Sequence, residues 1–444
     1  MSRGGGGGKP TPGRQYVLQD DGSLEDIGVA AYGKTGQGPR IWGANPHVSA
    51  TAKLKKGTVL VIPGEKPPTK LTGKAPDDLT CIIGGRGVPL LNARVMRTMD
   101  TGADGWTGSI AWTPGTDKEL DRVTRPFGYE RAAIYIGNTL LCNGRLYGTA
   151  PEMTERGLTK GLTGYSFTID AVDSTVMPPY ELNNVTLKQL ADYYCAPMGV
   201  KAVFEGDWGG PFKAVTAHEG ERIFDHLAKL ASQRGGLLTN TPEGDMLFWR
   251  ARTRSKPVGT LQEGGPFCVG WRANYDGRKR WHSYKIVTAG VKGREKPAAR
   301  KWGSAAPASS RVLPSTITEI DELVPLSRFQ TFRADEVTPG NVANAARWKR
   351  NKSFADALTI PFPVSGWHDP NGALWEVNTT VTVVSATLGV PRGFTFLVRA
   401  VEFELAEDQR SAVLYLLPPT AYSGKDLGDV WYPQKDAGGS WIYE

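Results

Sequence analysis

The most restrictive feature of this sequence is a strict alternation of side chains that begins at Trp375. From there to Val383, a face of Trp, Val and Thr alternates with a face of Glu, Asn and Thr. Because successive side chains of a strand point to opposite faces of a sheet, this pattern predicts a half-buried antiparallel strand. Segments 360–364, 394–405 and 412–417 also have strand composition and are separated by Gly/Pro turns. The region therefore predicts a small β-barrel or curled sheet.

A helix is predicted immediately before these strands. Thr338 can cap it, and Pro339 suits its first turn. The apolar side chains that share one side at helical spacing are Val342, Ala345, Ala346 and Trp348. The opposite face of this short amphipathic helix is predicted to be basic.

Several motifs in this region resemble one known family. They are Ala-Ala-Arg-Trp at 345–348, Gly-Trp at 366–367, Gly-x-Leu-Trp-x-x-Asn at 372–378 and Leu-Pro-Pro-x-x-Tyr at 417–422. These motifs resemble the C-terminal barrel of Mu-like phage baseplate hub proteins, a family of contractile tails. The resemblance covers most of residues 76–422. It implies two antiparallel β-barrels in each chain and a trimer in which six similar barrels form a ring.

The region before this barrel divides into two parts. Successive strands separated by turns are predicted at 90–99, 108–112, 131–136, 140–147 and 165–172. Runs within this part resemble the first barrel of the same family. Next, Thr186 and Gln189 can form a capping box, a second helix is predicted over 219–233, and a hairpin turns at 242–244. This α/β insert again resembles the hub family, most clearly over 220–250.

An N-terminal unit resembles a LysM domain. It begins with Tyr-Val-x-x-Asp-Asp-Gly-Ser-Leu at 16–24, where Ser23 can cap a helix. The inward side chains of that helix are predicted to be Leu24, Ile27, Ala30 and Ala31. The resemblance implies a βααβ fold with a groove formed by Gly22, Ser23, Leu24, Asn45, Pro46 and His47. LysM domains commonly bind the N-acetylglucosamine chains of peptidoglycan, but in phage tails such domains also clamp other proteins, and fusion to a hub favours the clamp.

The predicted fold class is mainly β with α+β parts. A chain of 444 residues is long enough for about three domains. The predicted boundaries are a flexible tail at 1–14, the LysM-like domain at 15–63, a linker at 64–76, the first hub barrel at 77–175, the α/β insert at 176–254, the second hub barrel at 255–422 and a C-terminal tail at 423–444. That tail contains four aromatic residues, Trp431, Tyr432, Trp441 and Tyr443. We expect them to pack on their own domain or in a partner's groove, because exposed aromatic clusters are unfavourable.

Positive charge is concentrated in two regions of the chain. Residues 1–75 contain eleven Lys/Arg and five Asp/Glu, and residues 270–303 contain ten and two. The formal net charge of the whole chain is +8, so the remainder is mildly acidic. At the start of the predicted loop 292–314, five basic residues lie close together: Lys292, Arg294, Lys296, Arg300 and Lys301. This loop is either a solvated segment or one that lines a lumen or grips a partner.

The sequence predicts no catalytic residues, no metal site and no cofactor. Its four cysteines, Cys81, Cys142, Cys195 and Cys268, are widely spaced, so buried free thiols are expected. The five histidines fall in separate segments, and no zincin, nucleophile-elbow or P-loop motif is present. No apolar run approaches the roughly 20 residues that cross a bilayer, and export by a signal peptide is not expected.

These observations predict a structural baseplate hub rather than an enzyme. The resemblance implies a homotrimeric ring that adapts a six-fold tail tube to a three-fold central spike and lets DNA pass without sequence recognition. Its expected partners are the spike, tail tube or tube-initiator proteins, other baseplate proteins and the tape-measure protein, in a virion assembled in the host cytoplasm. The main alternative is a tail protein that binds or degrades peptidoglycan. A third reading is the related spike hub of a contractile secretion system.

Overall fold

The computed structural model describes most of the chain from Gln15 to Tyr422. The described residues are 15–33, 35–36, 38, 41, 45, 48, 53–62, 71, 73–155, 157–288, 316–322, 324–325, 327–334, 339–388, 390–406 and 409–422. Within them lie 23 β-strands, six α-helices and three 3₁₀ helices. The mainly β composition agrees with the prediction. No helix in this part of the chain is long and apolar enough to cross a membrane.

The N-terminal unit is built from two strands and a capped helix, namely β1 (Gln15–Val17), α1 (Leu24–Tyr32) and β2 (Val59–Val61). β1 and β2 pair antiparallel. Ser23 caps α1 as predicted: its hydroxyl accepts from the Asp26 backbone N–H while the Asp26 carboxylate accepts from the Ser23 backbone N–H. The inward face differs at one position, because Ala30 is exposed and Tyr32 is buried instead.

The first β segment contains seven strands and one short helix. Its elements are β3 (Leu79–Ile83), β4 (Arg86–Val88), β5 (Asn92–Thr98), β6 (Gly105–Ala111), α2 (Lys118–Val123), β7 (Arg131–Ile136), β8 (Thr139–Thr154) and β9 (Gly157–Ser166). The strands are antiparallel in the order β5-β6-β9-β8-β7-β3-β4. The strand predicted over 165–172 was wrong beyond Ser166, since a helical turn replaces it.

The insert has its own core and lies between the two β segments in sequence. It comprises α3 (Ile169–Asp173), β10 (Glu181–Val185), α4 (Leu187–Cys195), a 3₁₀ turn (Ala196–Met198), β11 (Ala202–Phe204), β12 (Phe212–Thr216), α5 (Ile223–Gln233), β13 (Leu237–Asn240) and β14 (Met246–Trp249). The capping box of Thr186 and Gln189 is present. α4 and α5 pack their apolar faces on β13 and β14 through Leu190, Leu230 and Phe248, which are completely buried.

The second β segment supplies the remaining nine strands. Its elements are β15 (Thr260–Gln262), β16 (Asn274–Tyr275), a 3₁₀ turn (Gly277–Lys279), β17 (Ser283–Thr288), β18 (Thr316–Ile320), β19 (Phe329–Ala334), α6 (Pro339–Ala357), β20 (Leu358–Ser365), β21 (Thr380–Ser385), β22 (Val390–Ala406), β23 (Gln409–Leu417) and a 3₁₀ turn (Pro419–Tyr422). β17, β18 and β19 form a separate sheet in which β17 is central. Helix α6 packs on this sheet through Ala345 and Ala346.

Two sequence predictions in this segment need correction. The strand expected from Trp375 begins only at Thr380. Asn378 has a φ of 62° and is buried, and its side chain bonds the backbone at Arg250 and Arg252, so the chain turns there. The predicted basic outer face of α6 also fails at Arg350, which is buried and paired with Glu319 at 2.6 Å.

One continuous sheet joins the two β segments. β22 pairs antiparallel with β5, and the full order is β16-β20-β23-β22-β5-β6-β9-β8-β7-β3-β4, with β21 and β15 branching from β22. A single hydrophobic core runs through both segments. Among the described residues, strand pairing leaves both halves open, so the two closed barrels predicted from the sequence are instead two arms of a 13-stranded sheet.

Candidate functional site

The junction of the two arms combines a strand ladder with charged side-chain pairs. β5 and β22 pair over seven residues, from Asn92↔Ala406 to Thr98↔Ala400. On this ladder the Arg94 guanidinium bridges two carboxylates, Glu402 at 2.9 Å and Glu404 at 2.6 Å. Backbone pairing in this ladder therefore fixes how the two arms are joined, and the charged pairs favour this register of β5 against β22.

A buried carboxylate closes this junction at one end. Asp100 follows β5 directly, and its side chain is only 4% exposed. It accepts from Arg399 at 2.9 Å, from Lys352 at 3.2 Å and from the Tyr422 hydroxyl at 2.7 Å. Asp356 completes the group, 3.3 Å from both Lys352 and Arg399. Side chains from three separate elements, β22, α6 and the last 3₁₀ turn, thus contact the Asp100 carboxylate.

The protonation of this group follows from its neighbours. Burial alone would raise the pKa of Asp100, but the charges of Arg399 and Lys352, with hydrogen bonds from Arg399 and Tyr422, bring the pKa down to about 2. Burial and the nearby Asp100 raise the pKa of Tyr422 well above its ordinary value. At neutral pH the carboxylate is therefore ionised while the phenol donates to it.

A second buried carboxylate fastens the insert to the first arm. The Asp104 backbone N–H donates to the Asn240 side chain at 2.8 Å, and Asn240 donates to the Asp104 carboxylate at 3.1 Å. Arg97 also contacts that carboxylate, at 3.2 Å. Burial raises the pKa of Asp104 despite the Arg97 charge. Beside it, the Trp249 indole donates to the Met99 carbonyl at 3.0 Å, so the β13–β14 hairpin is held at two points.

A cleft lies between the insert and helix α6. Its volume is about 470 Å³, within the usual range for pockets that bind other molecules. The walls are formed by α5 on one side and α6 on the other, with Phe332 of β19 at the edge and Asp100 among the lining residues. Three lysines line it, namely Lys229, Lys349 and Lys352.

Two groups in this cleft have unusual surroundings. The Trp348 indole is 6% exposed, and its Nε1–H has no hydrogen-bond acceptor within the described residues. Lys349 lies with its Nζ 5.9 Å from the Phe332 ring centroid. Burial lowers the pKa of Lys349, the charge of Lys352 acts in the same direction, and the charge of Asp356 partly opposes both. The cleft therefore presents an unpaired donor and a cation that an anion would stabilise.

The predicted LysM-like groove is only partly described. Gly22 bridges to Leu54, Ser23 caps α1, and Leu24 is buried in the unit's core. Asn45 is fully buried and donates to the Ile41 carbonyl at 2.7 Å. Pro46 and His47 lie outside the described residues. Leu24 and Asn45 thus act within the unit, which leaves Gly22 and Ser23 as the described surface positions of the predicted groove.

The basic residues predicted for loop 292–314 all lie outside the described residues. Their flanks are described: Val287, near the end of β17, pairs with Thr316, at the start of β18. Thr288 also pairs with Ala334, two residues beyond Phe332 at the cleft edge. The described residues that flank the basic segment therefore lie near the cleft.

No group of three or more His, Cys, Asp or Glu within the described residues could hold a metal ion. All four cysteines are free; Cys81, Cys142 and Cys195 are buried, while Cys268 is half-buried. Burial raises the pKa of Cys195 to about 12, so its thiol stays protonated and unreactive.

Sequence reasoning missed both the junction and the cleft. Asp100 and Arg399 are 299 positions apart, and neither residue belongs to a motif. The one available signal was the apolar face of the predicted helix at 342–348, which includes Trp348. That face indicated burial but gave no information about which element it packs against.

Comparisons with known proteins agree on one class. Residues 168–250 match a family model described as "Baseplate hub protein gp44-like, second domain", and residues 338–425 match "Mu phage baseplate assembly protein GpP, fourth domain". The chain is 24% identical over 294 residues to the baseplate hub protein gp44 of Escherichia phage Mu, a match that covers 65% of this chain and 74% of that protein.

Two solved structures share the fold. The 43 kDa tail protein of prophage MuSo2 from Shewanella oneidensis is 24% identical with a TM-score of 0.63, and the match covers 77% of this chain and 98% of that one. A tail protein from Neisseria meningitidis MC58 is 16% identical with a TM-score of 0.61 over the same shares. The chain is thus similar to phage tail and baseplate hub proteins.

Proposed function

We propose that this chain is a structural hub of a phage tail baseplate, and that three copies form a ring. The observation that carries this proposal is the two-armed sheet joined by β5 and β22, because each chain then presents two similar antiparallel surfaces on one rigid junction. Three such chains present six arms. A closed three-fold assembly of this kind adapts a six-fold tube to a three-fold spike.

In this proposal, exposed apolar side chains on the arms supply a contact surface between copies. Phe127 is 83% exposed and Met153 is 81% exposed, both on the first arm. Phe127 and the nearby Tyr129 also have positive φ values, 57° and 47°, which is an unfavourable conformation for aromatic residues. Strain and exposure at the same loop favour a contact with a neighbouring subunit.

The N-terminal unit is proposed to be a LysM-like clamp. Its helix, cap and two-stranded pairing suit a small domain with its own core, and residues 64–76 would link it to the hub. In this role it docks on another baseplate or tube protein. The alternative ligand is peptidoglycan, through the surface around Gly22 and Ser23.

The basic segment 292–301 is proposed to face a negatively charged partner. The described residues that flank it, Val287 and Thr316, pair with each other at one end of the β17–β18–β19 sheet. In a ring this place would face the lumen, where DNA and the tape-measure protein pass, or a neighbouring subunit. Spike, tube and other baseplate proteins are the further partners of the assembled virion.

The proposed role is structural rather than enzymatic. It is supported by relatives that are baseplate and tail proteins and by buried, protonated thiols in the described part of the chain. The location proposed is the tail baseplate of the virion, after assembly in the host cytoplasm.

Light scattering on the purified protein tests the ring. A mass near three times 48.1 kDa, alone or with the spike partner, is the expected result. A persistent monomer under both conditions contradicts the ring. Binding of that monomer to purified peptidoglycan, with cleared zones on a zymogram, would instead establish the wall-binding or wall-degrading alternative.

A further inference from the structure

The cleft between α5 and α6 has no assigned occupant. It is walled by apolar side chains, among them Leu237, Leu238 and Phe332, and it contains the buried Trp348 indole. The lysines on α6 lie at its polar side. An occupant that suits both parts carries an aromatic side chain next to a carboxylate.

The described chain ends beside this cleft. Tyr422 is its last described residue, and the Tyr422 ring centroid lies 6.3 Å from that of Trp348. The Tyr422 hydroxyl bonds Asp100, which lines the cleft. Any segment that follows Tyr422 therefore starts at the cleft and has a high effective concentration there.

The sequence beyond this point has the required chemistry. Asp429, Trp431 and Tyr432 lie within four positions of one another. Trp431 is nine residues after Tyr422, which allows a reach of up to about 30 Å. A second aromatic pair, Trp441 and Tyr443, is ten positions farther away and has a lower effective concentration at the cleft.

We propose that residues 429–432 dock in the α5–α6 cleft of their own chain, with Trp431 and Tyr432 against its apolar walls and Asp429 beside Lys349. The segment then acts as a strap that ties the insert to the second β segment. The docked segment gives the Trp348 Nε1–H an acceptor and the Lys349 charge a counterion. This inference concerns a contact within one chain and does not depend on the proposed hub function.

The first test is hydrogen exchange of the full-length protein. Replacing Trp431 and Tyr432 by Ala is expected to accelerate exchange of the amides of α5 and α6 by about tenfold or more. The matched control replaces Trp441 and Tyr443 by Ala and should leave these amides unchanged. Unchanged exchange in both variants, or acceleration only in the control, overturns the proposal.

Photo-cross-linking combined with a charge swap tests the predicted pair of Asp429 and Lys349. A photoreactive benzoylphenylalanine at position 432 should cross-link to the peptide that contains Trp348. Asp429→Lys should reduce this yield, and adding Lys349→Glu should restore it.

In a mixture of heavy- and light-isotope protein, cross-links that join the two labels would place the segment in a neighbouring copy and overturn the proposal. No cross-link to the cleft would also overturn it.

Discussion

The Asp100 carboxylate and the Arg399 guanidinium lie 2.9 Å apart although 299 residues separate them in the sequence. Asp100 follows the last strand of the first arm that touches the second, and Arg399 lies in β22 beside that contact. The pair therefore forms only when both arms are folded and correctly joined. Lys352 of α6 and Tyr422 at the end of the second arm contact the same carboxylate. The complete group of contacts therefore forms only when the whole junction is assembled.

Replacing Asp100 by Asn should lower the free energy of unfolding by about 3 kcal/mol, because the change removes the buried one of the two carboxylates that balance the half-buried Lys352 and Arg399. Chemical denaturation measures this loss. The matched control is Asp356→Asn: Asp356 is 37% exposed and touches the same two cations, so a cost of at most about 1 kcal/mol is expected. Equal effects of the two variants would show that Asp100 is not the centre of the network.

The stability of the protein should fall in acid partly through Asp100. Its pKa is about 2 in the folded chain against 3.8 as the ordinary value. The folded state thus favours the ionised form of Asp100. This preference adds about 2 kcal/mol to the free energy of unfolding above about pH 4, and the stabilisation is lost as the pH falls towards 2. Asp104 acts in the opposite direction because its pKa is raised. The free energy of unfolding of Asp100→Asn and of the wild type should be compared from pH 5 to pH 2 to isolate the Asp100 contribution. We expect this free energy to decrease less steeply with falling pH in the variant.

Gly144→Ala should prevent correct pairing of β8 with β9. A Cβ at this position would lie 1.7 Å from the Tyr165 carbonyl oxygen, which no side-chain rearrangement can relieve. We expect a loss of at least about 3 kcal/mol or no folded protein. Gly161→Ala on β9 is the control, since its Cβ would meet only ordinary contacts from 3.5 Å. Thermal melting of both variants checks the prediction, and a normal melt of Gly144→Ala would contradict the described register.

Phe127→Gly should weaken trimer formation without destabilising the subunit. The Phe127 ring is 83% exposed, so its loss removes little packing, and glycine accepts the φ of 57°. The free energy of unfolding of the subunit should change by less than about 1 kcal/mol. Light scattering over a dilution series measures the trimer fraction. An unchanged trimer with the variant would exclude this loop as a subunit contact.

Much of the local structure was predictable from a few residues. Ser23 and Asp26 form the expected cap of α1, and Thr186 and Gln189 form that of α4. Both depend on contacts within three positions, so the sequence pattern carries the needed information. The strand predicted from Trp375 failed because Asn378 is held in a left-handed turn by backbone groups at Arg250 and Arg252, which no local pattern reveals.

The sequence by itself determined which segments become strands or helices and, through its motifs, the class of protein they resemble. Only the tertiary structure decided that β5 pairs with β22, that the expected barrels are open arms of one sheet, and that Asp100, Arg399 and Tyr422 meet. Caps and alternating faces depend on neighbours a few residues away. Which strands pair depends on how well each possible arrangement buries the apolar faces of all the strands together. That is a property of the complete core and not of any one segment.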